Sequence, residues 1–107
     1  ERLKRNRFVF ETLIGADDRG LQSLLRQVEE AHVALALKTA AEQLRQKFLR
    51  NVSRNARKMI QDMIQYMGPV RLADVERAQE AITELAKRLR DQGDLMVALP
   101  GESPLVE

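Results

Sequence analysis

Apolar residues recur along this chain at steps of three and four, broken by short polar or glycine-bearing stretches, and that rhythm predicts helices almost throughout. Phe8, Val9, Phe10, Leu13 and Ile14 follow a basic leader and predict a short helical or bent segment that anchors on a neighbouring element. The stretch IGADDRG then punctuates the chain. Asp17 or Asp18 can accept the first free amides of a helix over about 18–28, whose apolar positions are Leu21, Leu24, Leu25 and Val28. A second short helix, about 31–38, turns Val33, Ala34 and Leu37 inward, with Leu35 packed beside them. Thr39 and Glu42 have the spacing of a capping box and predict the start of a helix that ends near Arg50.

Ser53 is placed to cap the next helix, in which Ala56, Met59, Ile60, Met63, Ile64 and Met67 form one apolar stripe. Gly68-Pro69 stops it, because glycine tolerates a left-handed backbone and proline blocks continuation. The last helix is predicted over about 72–91, with Leu72, Val75, Ala78, Ile82, Leu85, Ala86 and Leu89 inward and Glu84 spaced to support Arg88. Gly93 ends it, residues 95–99 read as a short extended strap, and 100–107 as a flexible tail. Short connections and few β-branched runs predict an all-α, compact domain of five or six helices, antiparallel or wound to the right.

Composition changes this picture little. A chain of 107 residues suits one domain that removes roughly two thirds of its unfolded surface from water. It has no cysteine and so no disulfide or thiolate site, and no apolar run of membrane-spanning length. It starts at Glu1 rather than Met, which reads as a piece processed or excised from a longer protein. Charge is nearly balanced, 18 basic residues against 16 acidic, but unevenly placed. Seven bases and one acid lie between Lys38 and Lys58, and six acids and four bases between Asp74 and Asp94, so one end should present a positive face.

Catalytic chemistry finds no footing. His32 stands alone beside apolar positions and reads as structural, and metal binding wants several convergent donors. Ser23, Ser53, Thr12, Thr39 and Thr83 have no histidine at a suggestive spacing. Asp17-Asp18 and Glu29-Glu30 sit at helix boundaries, and the five glycines make no phosphate loop. No enzyme activity and no cofactor are expected. Arg45, Arg50, Arg54, Arg57 and Lys58 could meet phosphates, which keeps a helical adaptor or nucleic-acid module using the 38–58 surface as the alternative; low net charge, one Tyr and no Trp argue against it. The methionines at 59, 63 and 67 read as core, since Met fills irregular gaps. On the polar side of that helix Asn55, Lys58, Asp62 and Gln65 follow one another. With Arg71 beyond the turn and Lys38 flanking, they predict a small mixed-charge ridge able to steer a charged protein.

The blocks Arg7-Phe8-Val9-Phe10, Asp17-Asp18-Arg19, Ala34-Leu35-Ala36-Leu37-Lys38, Leu44-Arg45-Gln46-Lys47-Phe48, Asn51-Val52-Ser53, Gly68-Pro69-Val70-Arg71-Leu72 and Asp74-Val75-Glu76 stand in one order over residues 3–99. Together they resemble the C-terminal domain of the flagellar motor switch protein FliG. The resemblance implies an armadillo-like rotor element at the flagellar basal body, cytoplasmic and peripheral to the inner membrane, without membrane insertion or nucleic acid. Its charged ridge would meet the cytoplasmic loop of a MotA-like stator protein, transmit torque and take part in switching. FliM, through a surface formed by the Val33 to Leu37 region and its neighbouring helices with no contact residue assigned, and neighbouring FliG subunits would be further partners. Carried over by position, Lys38, Asp62 and Arg71 are the ridge. Asn55 stands where the family has arginine and Met63 where it has a second acid, with Arg54 or Arg57 as compensating charges. Gly68 and Pro69 mount Arg71 on a stiff turn. Phe8, Val9 and Phe10 match the family's hinge and imply a division into hinge segment 1–14, helical domain 15–99 and tail 100–107, with Phe8 and Phe10 anchoring onto a preceding helical unit.

Overall fold

The computed structural model describes residues 8–98, so the basic leader, Leu99 of the strap and the 100–107 tail lie outside the described residues. A 3₁₀ turn, Phe10–Gly15, precedes five α-helices: α1 (Asp18–Leu25), α2 (Glu30–Leu37), α3 (Glu42–Arg50), α4 (Arg54–Tyr66) and α5 (Leu72–Asp91). The domain is all-α, and the described residues hold no strand beyond one isolated antiparallel bridge, Ala16 to Val97.

Local chemistry explains most boundaries. The Asp17 carboxylate accepts from the Gly20 amide at 3.0 Å, and the Ser53 hydroxyl from the Ala56 amide at 3.1 Å, each satisfying a donor that a helix start leaves free. α1 stops at Leu25 rather than near 28, because the Gln27 and Val28 amides turn back onto Leu24 and Leu25 in tighter steps. The expected Thr39 to Glu42 capping box does not form. The Lys38 and Ala40 amides close the end of α2 onto Leu35 and Leu37, so Thr39 still belongs to the preceding turn and Ala41 becomes the cap of α3 without a side-chain bond.

α2 carries buried side chains at Val33, Ala34, Ala36 and Leu37, more than one face of a helix can hold. It lies against both α4 and α5, which accounts for that pattern. The 3₁₀ turn packs on α3 and α5: Phe10 and Leu13 enter the core, and the Phe10 ring meets Phe48 edge to face at 5.5 Å. The α4 stripe is core only in part. Ile60 is buried and Met63, Ile64 and Met67 are half-buried, but Met59 is 47% exposed, since α4 packs chiefly on α2 and only lightly on α3. Leu72, expected inward, is 61% exposed at the first position of α5. Glu84 pairs with Lys87 at 3.3 Å, not with Arg88.

Two glycines have a left-handed backbone, Gly68 (φ 68°) and Gly93 (φ 84°). At the end of α5 the Gly93 amide donates to the Arg90 carbonyl and the Asp94 amide to the Leu89 carbonyl, the paired bonds of a Schellman turn. The reversal drives Leu95 into the core, and the chain continues as the strap past Gly15–Asp17.

Candidate functional site

Lys38 follows the carboxyl end of α2, where several side chains converge. Helix ends leave carbonyls without partners, and here side chains from two other helices supply them. Gln79 of α5 donates to the Ala36 carbonyl at 2.9 Å, and Arg45 of α3 donates to the Leu37 and Lys38 carbonyls at 3.2 and 3.4 Å. Lys38 in turn donates its Nζ to the Ile64 carbonyl in the last turn of α4 at 3.3 Å. Lys38 is half-buried against the last turn of α4.

Asp62 is exposed and lies 3.9 Å from Lys58, one turn earlier. Arg71 is the cap residue of α5, exposed, and its side chain has no hydrogen bond or ion pair among the described residues. Gly68 lets the chain reverse after Met67, and Pro69 follows, so Arg71 leaves a corner with little freedom. The two departed positions behave differently. Asn55 is exposed, whereas Met63 packs against the core. Of the two candidate compensators, Arg57 is half-buried and donates its Nε to the Leu49 carbonyl at 3.0 Å, while Arg54 is exposed.

The same bonds bear on the basic 38–58 surface. Arg45 and Arg57 point at helix-end carbonyls, Arg50 lies 3.4 Å from Asp18, and Lys58 faces Asp62. Lys38, Arg45 and Arg57 are thus committed to the fold, whereas Arg50 and Lys58 keep only exposed pairs.

Sequence reasoning missed two features. Arg71 also lines a groove of about 640 Å³ between α2 and α5, with Leu35 and Val70 in its wall and His32, Asp74 and Arg77 at its rim. Of Val33 to Leu37, only Leu35 reaches that surface, the others being buried. The second is a polar knot around Asn51, which is buried. Asn51 accepts from Gln22 at 3.0 Å and donates to Asp18 at 3.1 Å and to the Lys47 carbonyl at 2.9 Å. That donation holds the Asp18 carboxyl below its usual value of 3.8; local desolvation opposes it, and the Arg50 and Lys47 charges add to it. The signal available was the Asn after α3, a residue type that often closes a helix end.

At the incoming end, Phe8 is half-buried beneath the Arg90 guanidinium, 4.7 Å from its ring centre, and Phe10 is 4% exposed in this domain's own core. Val9 is exposed and donates its amide to the Thr12 hydroxyl. No group of three or more His, Asp or Glu among the described residues is placed to hold a metal, and no helix there is long and apolar enough to cross a membrane.

The family model of the FliG C-terminal domain matches residues 1–97. The flagellar motor switch protein FliG of Thermotoga maritima is 41% identical over 106 residues, covering 99% of this chain and 32% of that protein; that of Pseudomonas aeruginosa is 38% identical over 99 residues, 92% and 29%. Among solved structures, a FliG fragment from H. pylori superposes with a TM-score of 0.82 at 32% identity, covering 88% of this chain and 44% of the other. Full-length FliG from Aquifex aeolicus gives 0.78 at 30% identity, over 86% and 29%. The chain spans about a third of the length of these curated relatives. It belongs to the FliG C-terminal domain family.

Proposed function

We propose that this domain is the stator-facing part of a flagellar rotor protein, and that Lys38, Asp62 and Arg71 form the charged ridge on which a stator's cytoplasmic loop acts. The observation that carries the reading is the disposition of Asp62 and Arg71. They are opposite in charge and exposed, one on α4 and one just past the α4–α5 turn. Neither is tied to a backbone group, and Asp62 has only a long, exposed pair with Lys58. Charges so placed steer encounter and fix orientation more than they add affinity, which suits a contact made and released at each step. The family relationship supplies the partner class, a MotA-like loop, while FliM and neighbouring FliG subunits are the other contacts of the assembly at the basal body. Membrane attachment through this domain is not part of the reading.

The test is binding of the domain to the cytoplasmic loop of its own organism's stator, with Asp62→Lys and Arg71→Glu beside the unaltered chain. Loss of binding in each reversed variant, partly restored by the complementary reversal in the loop, is expected. Binding indifferent to every reversal would remove the working contact from this ridge. A domain that ignores the loop but holds short duplex DNA in a salt-dependent way would favour the adaptor or nucleic-acid alternative.

A further inference from the structure

The two ends of the described chain meet. The Asp17 amide donates to the Met96 carbonyl at 2.9 Å and the Ala98 amide to the Gly15 carbonyl at 3.1 Å, forming the one bridge in the described residues. The Asp17 carboxylate works on both sides of the crossing: one oxygen caps α1 through Gly20, the other accepts the Met96 amide at 2.9 Å. The approach is so close that it dictates residue type. A Cβ on Gly15 would lie 2.5 Å from the Ala98 carbonyl oxygen, and one on Gly20 would lie 2.8 Å from the Leu95 Cα. Neither glycine is in the left-handed region, so backbone freedom does not explain them. The strap does.

We infer that the strap Leu95–Ala98 and the incoming segment Phe10–Asp17 form one cooperative unit, a clasp that opens and closes against the five-helix body below the free energy of global unfolding. Two features make it separable. Met96 is 71% exposed and Asp17 is exposed, so the crossing itself is wet and held by three hydrogen bonds, whereas α2 is enclosed between α4 and α5. Two others make it cooperative. Leu95 shares the core with Phe10 and Leu13, and Asp17 is bonded at once to the start of α1 and to the strap, so loosening one strand of the crossing strips contacts from the other. The direction in which the chain arrives at the body is thus held by residues some 80 positions away, Asp17 and Met96 being 79 apart. This inference stands apart from the stator reading and does not need it.

Native-state hydrogen exchange on the full chain tests it, with two substitutions on opposite strands. Met96→Pro removes the amide that Asp17 accepts while leaving the Gly20 cap intact, and Gly15→Ala pushes a methyl group against the Ala98 carbonyl. In the unaltered chain the Thr12, Ala16, Asp17 and Ala98 amides should share one opening free energy, lower than that of interior amides of α2 and α5. In Met96→Pro all four should exchange about tenfold faster together, the effect of losing one charge-assisted hydrogen bond, and in Gly15→Ala they should also accelerate together, while the interior amides of α2 and α5, which open only with the whole domain, keep a higher opening free energy than the clasp. Acceleration of Asp17 and Ala98 without Thr12 and Ala16 would overturn the cooperative unit. Clasp amides with the same opening free energy as the interior amides of α2 and α5 in the unaltered chain would overturn its separability, and no acceleration in either variant would show that the crossing holds nothing.

Discussion

Lys38 donates its ammonium to the main-chain carbonyl of Ile64, 3.3 Å away and 26 residues on in sequence. A residue proposed for the ridge is thereby also a tie between α2 and α4, and the two roles give different signatures. Lys38→Glu should destabilise the domain by about 1–2 kcal/mol, because it removes the donor and sets a carboxylate against a carbonyl. Lys38→Met should lose a smaller part of that. Arg71→Glu, with no bond to lose, should stay within about 0.5 kcal/mol. Denaturant unfolding of the three variants checks this, and equal losses in all of them would remove the tie.

Phe10 anchors the incoming segment to this body. Phe10→Ala should cost about 3–5 kcal/mol, lowering the melting temperature by about 10 °C or more, since it vacates a buried site and removes the edge-to-face contact with Phe48. Val9→Ala, one residue earlier and exposed, is the control and should change little. Thermal melts of both would settle whether Phe10 belongs to this core or is reserved for a neighbouring unit, in which case its loss here would be mild.

Asp18 makes stability depend on acid. Its folded carboxyl titrates below the ordinary value, mainly because Asn51 donates to the ionised form. A group depressed in this way contributes stability above its unfolded value, and the contribution is lost as pH falls through the lower folded value. Asp18→Asn should therefore be less stable than the unaltered chain at neutral pH, with the gap closing as pH falls below about 4. Asn51→Ala should lose about 1–3 kcal/mol at neutral pH, leaving buried polar neighbours unpaired, and should reduce the acid-dependent part. Unfolding curves from pH 7 to 2 read both.

The helices were legible where one residue and its near neighbours decide the matter. Ser53 caps α4, Asp17 caps α1, and Gly68-Pro69 ends α4 because capping and left-handed turns are local chemistry. Thr39 misled for the opposite reason. Its spacing to Glu42 suits a capping box, but the end of α2 claims it, and its hydroxyl accepts from Gln79, 40 residues away. Leu72 and Met59 follow helical spacing faithfully and still face outward, because periodicity says which face is apolar and not how far a neighbour extends to cover it. Of the ridge, the charges were legible as residues, but not the bonds that bind Lys38 and Arg57 to helix ends. The Asn51 knot and the α2–α5 groove depend on elements far apart in sequence, and only the Asn at the end of α3 gave a local sign of the first.

The wiring at the carboxyl end of α2 has a mechanical meaning. Gln79, Arg45 and Lys38 join that one helix end to α5, α3 and α4 by side-chain bonds aimed at fixed backbone groups. A tangential push delivered near Lys38 does not bend a loose loop. Under the proposed function such a push would be loaded in parallel onto three rods braced at a common node, which would stiffen the corner against shear.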